Sequence, residues 1–117
     1  MHALIIEPEA LVALMIQGVL EENGFDSFAY ATTAQEAVSA ADRRCPDLIV
    51  ADIDLREGCG IDTVQSICSA KPIPVIFASE TLRDALARVP MAKAVRKPFG
   101  ALALAAAVAE AKAGASH

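Results

Sequence analysis

A short apolar run that ends in two aspartates constrains the fold of this chain more than any other stretch. The residues 48–51 are apolar, Asp52 follows directly, and Asp54 comes two positions later. The run is too short for a helix and lacks polar/apolar alternation, so it predicts a strand that is buried on both faces of a parallel sheet. Asp52 would then lie at the carboxyl end of a strand, where open parallel sheets bind ligands. The alternative is a solvated aspartate that starts a loop, a common position for this residue.

The size and composition of the chain predict one small domain over residues 1–117. Hydrophobic residues make up 55% of the sequence, which fits strands buried on both faces. The formal net charge of −5, without a basic patch, argues against nucleic-acid binding. Cys45, Cys59 and Cys68 have no metal-like spacing and indicate reduced thiols in a cytoplasmic protein. We see no signal peptide, and the apolar segment 101–109 is too short to cross a membrane.

Short apolar runs alternate with helical patterns along the chain, which predicts five strands and five helices. Right-handed crossovers then give an α/β fold with a doubly wound, five-stranded parallel sheet and helices on both faces. The predicted strands are 3–6, 25–31, 48–51, 75–78 and 91–96, and the predicted helices are 9–23, 33–44, 61–70, 81–89 and 101–113.

Local signals indicate how the helices begin and which faces they bury. Thr33 and Glu36 have the spacing of a capping box, which predicts the start of the second helix. The last helix carries no charge over 101–109, which indicates either plain helix propensity with close packing or, if its flank is exposed, a partner or dimer surface. The apolar face predicted for the first helix consists of Leu11, Leu14, Met15, Gly18 and Val19.

The carboxyl ends of the predicted strands gather polar residues at one edge of the sheet. Carboxylates in one crevice repel each other unless a cation lies between them, and oxygen ligands with several waters suit Mg²⁺. A hydroxyl and an ammonium group suit the oxygens of a transferring phosphoryl group, and an aspartate can accept that group as an acyl phosphate. The chemistry that fits is therefore phosphoryl capture on Asp52. The gathered residues are Glu7, Glu9, Asp52, Asp54, Ser79 and Lys97.

Each of these residues also has a simpler interpretation. Ser79 could cap the helix after the fourth strand, and Lys97 could be a solvated lysine in a turn. The acids of Glu7–Glu9 could complement the N-terminus of the first helix. His2 and His117 lie at the two ends of the chain, and we assign no role to either.

At these positions the sequence resembles a receiver domain of the response regulators of two-component signalling, over nearly the whole chain. The resemblance implies a (βα)5 flavodoxin-like fold in which Asp52 is the phosphoacceptor. Ser79 corresponds to the family's Ser/Thr, and Lys97 corresponds to its invariant lysine. It also implies Mg²⁺, here with side-chain oxygens from Glu7, Asp52 and Asp54. The motifs that carry the resemblance are Glu7–Glu9, Pro46–Asp52, Gly60, Pro74–Ser79 and Lys97–Phe99.

Several positions depart from the family pattern. Pro8 stands where the family usually has a second acid that binds the metal, so we expect a weakened Mg²⁺ site. Arg56 stands where a proline is common. Ala94 stands where a tyrosine or phenylalanine often swings inward on phosphorylation, so we expect no aromatic rotamer switch. The segment 80–94 looks short, which predicts a reduced or disordered fourth helix. The resemblance further implies a cis peptide bond between Lys97 and Pro98.

The leading interpretation is a stand-alone phosphoreceiver that catalyses only its own phosphoryl transfer and dephosphorylation. The implied donor is a histidine kinase or histidine phosphotransfer protein. The expected readout is altered binding to a downstream protein, with a homodimer as a further candidate, unless the chain is an excised piece. The alternative is an atypical receiver that binds proteins without phosphorylation, which Pro8 and Ala94 favour and the acceptor residues oppose. A nucleotide or flavin carrier is disfavoured because the acidic turn after the first strand would repel phosphate.

Overall fold

One parallel sheet with helices on both faces forms the protein in a computed structural model, which describes residues 1–115. This architecture confirms the predicted doubly wound, flavodoxin-like fold, and His117 lies outside the described residues. The strands are β1 (His2–Ile6), β2 (Ser27–Ala31), β3 (Leu48–Ala51), β4 (Val75–Ser79) and β5 (Lys93–Arg96), in the spatial order β2-β1-β3-β4-β5. The helices are α1 (Ala10–Glu22), α2 (Ala34–Arg43), α3 (Gly60–Cys68), α4 (Ala85–Arg88) and α5 (Ala101–Ala115).

The strand β3 lies between two apolar cores, one on each face of the sheet. Leu48 and Val50 pack into the core under α1 and α5, whereas Ile49 and Ala51 pack into the core under α2 and α3. All four residues of the strand are buried. Successive side chains of a strand point to opposite faces, so a strand with a core on each side needs apolar residues at every position.

The helix α1 buries a different face from the one that the sequence predicts. Its buried residues are Ala13, Ile16, Val19 and Leu20, so of the predicted face only Val19 is buried. The predicted core residue Leu11 is 83% exposed, and Leu14 and Met15 are also exposed. Apolar residues with helical spacing run along two faces of this helix, and spacing alone does not determine which face meets the sheet.

The start of α2 confirms the predicted cap, with a shift in one of its two hydrogen bonds. The Thr33 hydroxyl accepts a hydrogen bond from the Glu36 amide at 3.2 Å. The Glu36 carboxylate accepts the amide of Thr32 at 2.7 Å rather than that of Thr33. The exchange that defines a capping box therefore extends one residue further back along the chain.

The region between β4 and β5 is reduced, as expected. The helix α4 has only four residues, Ala85–Arg88, instead of the predicted 81–89. The strand β5 begins at Lys93 rather than at residue 91, and Ala94 stands opposite Phe77 of β4 in the sheet register. A methyl group is thus all that this edge strand contributes at the place of an aromatic switch.

Two features at the ends of the chain are a buried histidine in β1 and an exposed leucine on α5. His2, which we expected to do nothing, is buried in β1, and its Nδ1 lies 2.8 Å from the Ser27 hydroxyl. Burial, together with the positive charge of Arg44, lowers the pKa of His2. On α5, Leu104 is buried whereas Leu102 is 88% exposed, so the flank of the last helix does expose a large apolar residue. No helix within residues 1–115 is long and apolar enough to cross a lipid bilayer.

Candidate functional site

Three charged side chains from three separate loops meet at the carboxyl edge of the sheet. Glu7 follows β1, Asp52 follows β3 and Lys97 follows β5. The Lys97 ammonium group lies 2.7 Å from Glu7 Oε1 and 2.8 Å from Asp52 Oδ2. Both carboxylates are buried, and the lysine side chain is only 12% exposed. The structure therefore brings together three of the six residues that the sequence predicted at this edge, and one ammonium group contacts both carboxylates.

Backbone amides hold the other oxygen of each carboxylate. The Glu9 amide donates to Glu7 Oε2 at 3.0 Å, and the Asp54 amide donates to Asp52 Oδ1 at 3.1 Å. The Asp52 amide itself donates to the carbonyl of Ile6 at 2.8 Å, which joins Asp52 to the neighbouring strand. Each carboxylate is thus oriented by the protein backbone, with its remaining oxygen turned to Lys97.

Burial and ion pairing act on this cluster in opposite directions. Burial raises the pKa of Glu7, and its contacts with Lys97 and the Glu9 amide offset only part of that effect. Burial disfavours the charged form of Lys97, but its close contacts with the carboxylates of Asp52 and Glu7 outweigh this effect and raise the pKa of the lysine. Among residues 1–115 no hydrogen bond of regular geometry reaches Glu7 Oε1, so its contact with the ammonium group is an ion pair. Lys97 is therefore the cation that balances the charge of both buried carboxylates.

Ser79 presents a buried hydroxyl without a hydrogen-bond partner among residues 1–115. It ends β4, and its carbonyl accepts the Lys97 amide at 2.9 Å, so the two residues lie side by side. The alternative role as a helix cap finds no support, because α4 begins only at Ala85 and Asp84 stands at its cap position. Buried polar groups are normally paired, so an unpaired hydroxyl beside a lysine is a candidate ligand for an incoming oxygen.

Asp54 points away from the cluster, and sequence reasoning missed its partner. Its carboxylate lies 2.5 Å from the guanidinium group of Arg83, and both side chains are about half exposed. Arg83 belongs to the loop between β4 and α4 and has a φ of +46°. No motif or periodicity involves this arginine, so nothing in the sequence indicated that it contacts the loop that follows Asp52.

Two glycines hold the loop after Asp52 close to the sheet. A Cβ atom on Gly60 would lie 1.9 Å from the carbonyl oxygen of Asp52, so the chain can pass here only without a side chain. Gly58 has a φ of +95°, and a Cβ there would lie 2.6 Å from that of Ala34. The Ala34 amide donates to the carbonyl of Glu57 at 3.0 Å, which joins the acceptor loop to the start of α2.

The residues of this site fit Mg²⁺ through two of the three carboxylates that the sequence suggested. Glu7 and Asp52 offer hard oxygen atoms close together, and Mg²⁺ is commonly held by one or two carboxylates with waters and phosphate oxygens completing its shell. Asp54 is engaged by Arg83 instead. Within residues 1–115 no group of three or more His, Cys, Asp and Glu side chains is arranged to hold a metal ion.

The comparison with known protein families agrees with this arrangement. The family of the response regulator receiver domain matches residues 3–109. The chain belongs to this receiver family. As expected for it, the Lys97–Pro98 peptide bond is cis.

Three proteins illustrate what this chain is similar to. The transcriptional regulatory protein PdtaR of Mycobacterium tuberculosis is 33% identical over 102 residues, which cover 84% of this chain and 50% of that protein. The phyllosphere-induced regulator PhyR of Methylorubrum extorquens is 40% identical over 76 residues, covering 63% of this chain and 28% of that protein. The crystal structure of the response regulator PhyR from Brucella abortus superposes with a TM-score of 0.84 at 30% identity, covering 99% of this chain and 51% of that one. The matched part of this chain thus covers between 28% and 51% of the length of these relatives.

Proposed function

We propose that the protein accepts a phosphoryl group on Asp52 from a histidine kinase or histidine phosphotransfer protein and signals by altered binding to a downstream protein. The observation that carries this proposal is the convergence of Lys97 on Asp52 at 2.8 Å, with the unpaired hydroxyl of Ser79 beside it. These groups supply a nucleophile, a cation and a hydrogen-bond donor. Together they meet the needs of a phosphoryl group in transfer.

In the proposed reaction a carboxylate oxygen of Asp52 forms a bond to phosphorus as the bond from phosphorus to the donor's imidazole nitrogen breaks. The electron pair of the broken bond stays on that nitrogen. The Asp54 amide holds one carboxylate oxygen of Asp52, which restricts the rotation of the nucleophile. Lys97 neutralises charge on the phosphoryl oxygens, and the Ser79 hydroxyl donates to one of them. Mg²⁺, when bound, adds charge neutralisation, and we propose Glu7 and Asp52 as its main side-chain ligands, with Asp54 contributing less.

The proposal is tested by incubating the protein with Mg²⁺ and a small acyl-phosphate donor and measuring the intact mass. We expect the mass of one phosphoryl group to be added and peptide mapping to locate it on Asp52. A protein that gains no mass from the small donor or from a phosphorylated donor protein would instead act as a phosphorylation-independent binding module. The substitution of the second acid by Pro8 and the short α4 are the observations that favour that second function.

Restoring an acid at position 8 should strengthen the metal site. Pro8→Asp adds a carboxylate next to Glu7, so we expect Mg²⁺ to bind about tenfold more tightly, the effect of about 1.4 kcal/mol of added attraction. Labelling of Asp52 should also become faster, because the site's negative charges are better neutralised. Isothermal titration of Mg²⁺ into both proteins measures the first effect. Equal affinities, or a weaker variant, would show that Pro8 is not the deficiency.

We propose that the signal leaves the site through backbone segments rather than through an aromatic side chain. Position 94 is alanine, and most of the segment 79–89 is irregular, with a single turn of helix at Ala85–Arg88. A phosphoryl group on Asp52 would lie next to this segment and to the loop 55–60. Charge introduced at such a place can order or shift a loop.

Amide hydrogen exchange with and without phosphorylation tests this route. We expect protection to change in the loop 55–60 and in the segment 79–89. The hypothesis fails if the only segments that change lie outside both.

The free thiols of Cys45, Cys59 and Cys68 support the proposal that the protein works in the reducing cytoplasm.

A further inference from the structure

Arg83 is held in an unusual conformation at the rim of the acceptor site. Its φ of +46° is the only positive value among the non-glycine residues of the described part of the chain. Residues with a side chain rarely adopt this left-handed conformation, and it persists where surrounding contacts impose it. The guanidinium group of this residue lies 2.5 Å from the Asp54 carboxylate.

Asp54 contacts both Arg83 and the proposed phosphoacceptor Asp52. The same Asp54 whose side chain binds Arg83 donates its amide to Asp52 Oδ1 at 3.1 Å. The Arg83 and Asp54 side chains are 52% and 55% exposed, so their ion pair lies in contact with water. Exposed pairs contribute little to stability, and a stronger anion nearby can exchange for one of the partners.

The charge balance of the site favours such an exchange once Asp52 carries a phosphoryl group. Lys97 already serves two carboxylates, and position 8 offers no acid to strengthen the binding of a metal ion. A phosphoryl group brings more negative charge than the carboxylate of Asp54, together with several acceptor oxygens. A guanidinium group can bind those oxygens in two parallel hydrogen bonds, and the larger negative charge favours the phosphoryl group over the half-exposed carboxylate of Asp54.

We propose that Arg83 is a phosphoryl-binding residue that exchanges Asp54 for the phosphoryl group on Asp52. This role rests on the proposed function. In the unmodified protein the guanidinium group is paired with Asp54 at the rim of the site. In the phosphorylated protein Arg83 moves to the phosphoryl oxygens and carries the segment 80–84 with it. The loop between β4 and α4 then closes over the acceptor.

Binding of trifluoroberyllate, a stable mimic of the phosphoryl group on a carboxylate, tests the exchange without turnover. We expect Arg83→Ala to weaken its binding in the presence of Mg²⁺ by about tenfold, the loss of one charge-assisted hydrogen-bonding group. Asp54→Asn should act in the opposite direction and tighten binding several-fold, because it releases Arg83. Fluorine NMR titration of each protein measures the affinities.

A matched control and a double variant make the test decisive. Arg88 lies on α4, a few residues further along the chain, where it pairs with Asp62 and Gln65 away from the acceptor, so Arg88→Ala should bind the mimic as the wild type does. The gain from Asp54→Asn should vanish in the Arg83→Ala background. A gain that persists there would come from direct repulsion by Asp54 and would contradict the exchange.

The outcomes also separate this role from the proposed function. If the wild type binds trifluoroberyllate and Arg83→Ala binds it equally well, the role of Arg83 is wrong and phosphoryl capture on Asp52 still stands. If the wild type neither binds the mimic nor gains phosphoryl mass, both are wrong. Arg83→Lys provides a further check, since it keeps the charge but loses the paired hydrogen bonds and should recover only part of the affinity.

Discussion

Replacing Asp52 with asparagine should abolish phosphoryl labelling of the protein. The amide of asparagine is not a nucleophile toward phosphorus, whereas its shape preserves the hydrogen bond from the Asp54 amide. We expect no mass gain after incubation with Mg²⁺ and a small acyl-phosphate donor under conditions that label the wild type fully. A circular dichroism spectrum equal to that of the wild type would show that the variant is folded.

Two further aspartates serve as controls for this experiment. Asp62 is exposed and pairs with Arg88 outside the site, so Asp62→Asn should be labelled at the wild-type rate. Asp54→Asn should still be labelled, since its carboxylate faces Arg83 rather than Asp52. Labelling of Asp52→Asn at the wild-type rate would exclude Asp52 as the acceptor.

Replacing Lys97 with methionine should destabilise the fold strongly at neutral pH. The substitution leaves the buried carboxylates of Glu7 and Asp52 without their cation, and removing one partner of a buried ion pair typically costs about 3–5 kcal/mol. We expect a loss of that order in the free energy of unfolding, measured by urea denaturation. Lys71→Met, which removes an exposed lysine, is the matched control and should change little.

The pH dependence of this loss has a definite sign at each end of the scale. Glu7 already has a raised pKa through burial, so the stability linked to its protonation is present at low pH and disappears as the pH rises through the folded-state pKa. Without Lys97 this pKa should rise further, and the deficit of Lys97→Met should shrink as the solution is acidified. Because the pKa of Lys97 is raised, the wild type loses the stabilisation from this ion pair only in alkaline solution, where the lysine deprotonates. A deficit that stays constant between acid and neutral pH would contradict this account.

The parts of the fold that sequence predicts well are those where one physical requirement leaves few residues to choose from. A strand with a core on both sides must be apolar throughout, which is why β3 and the position of Asp52 at its end could be read directly. The Thr33 cap is local in the same way, because its hydrogen bond closes within three residues. The predicted strand ends also gathered Ser79 and Lys97, and the family resemblance favoured a role in the site over the simpler interpretation of each residue alone.

The features that could not be predicted depend on choices between equally good local patterns or on contacts between distant loops. Two apolar faces of α1 satisfy the helical period, and only packing against the sheet decides that Ile16 is buried and Leu11 is exposed. The pairing of Asp54 with Arg83 joins residues of two irregular loops, whose conformations no periodicity describes. The burial of His2 follows from its place at the start of β1, next to Ser27, rather than from its closeness to the chain terminus.

The close passage of Gly60 beneath the acceptor strand has a consequence for how this sequence can drift. Any side chain at position 60 would push against the carbonyl of Asp52, whereas Gly18 and Gly100 have open space around the place of a Cβ atom. A lineage that keeps the acceptor where it is must therefore keep this glycine as well, while the other two are free to change. The position of Asp52 therefore depends on a second residue eight positions later, Gly60, which has a hydrogen atom in place of a side chain.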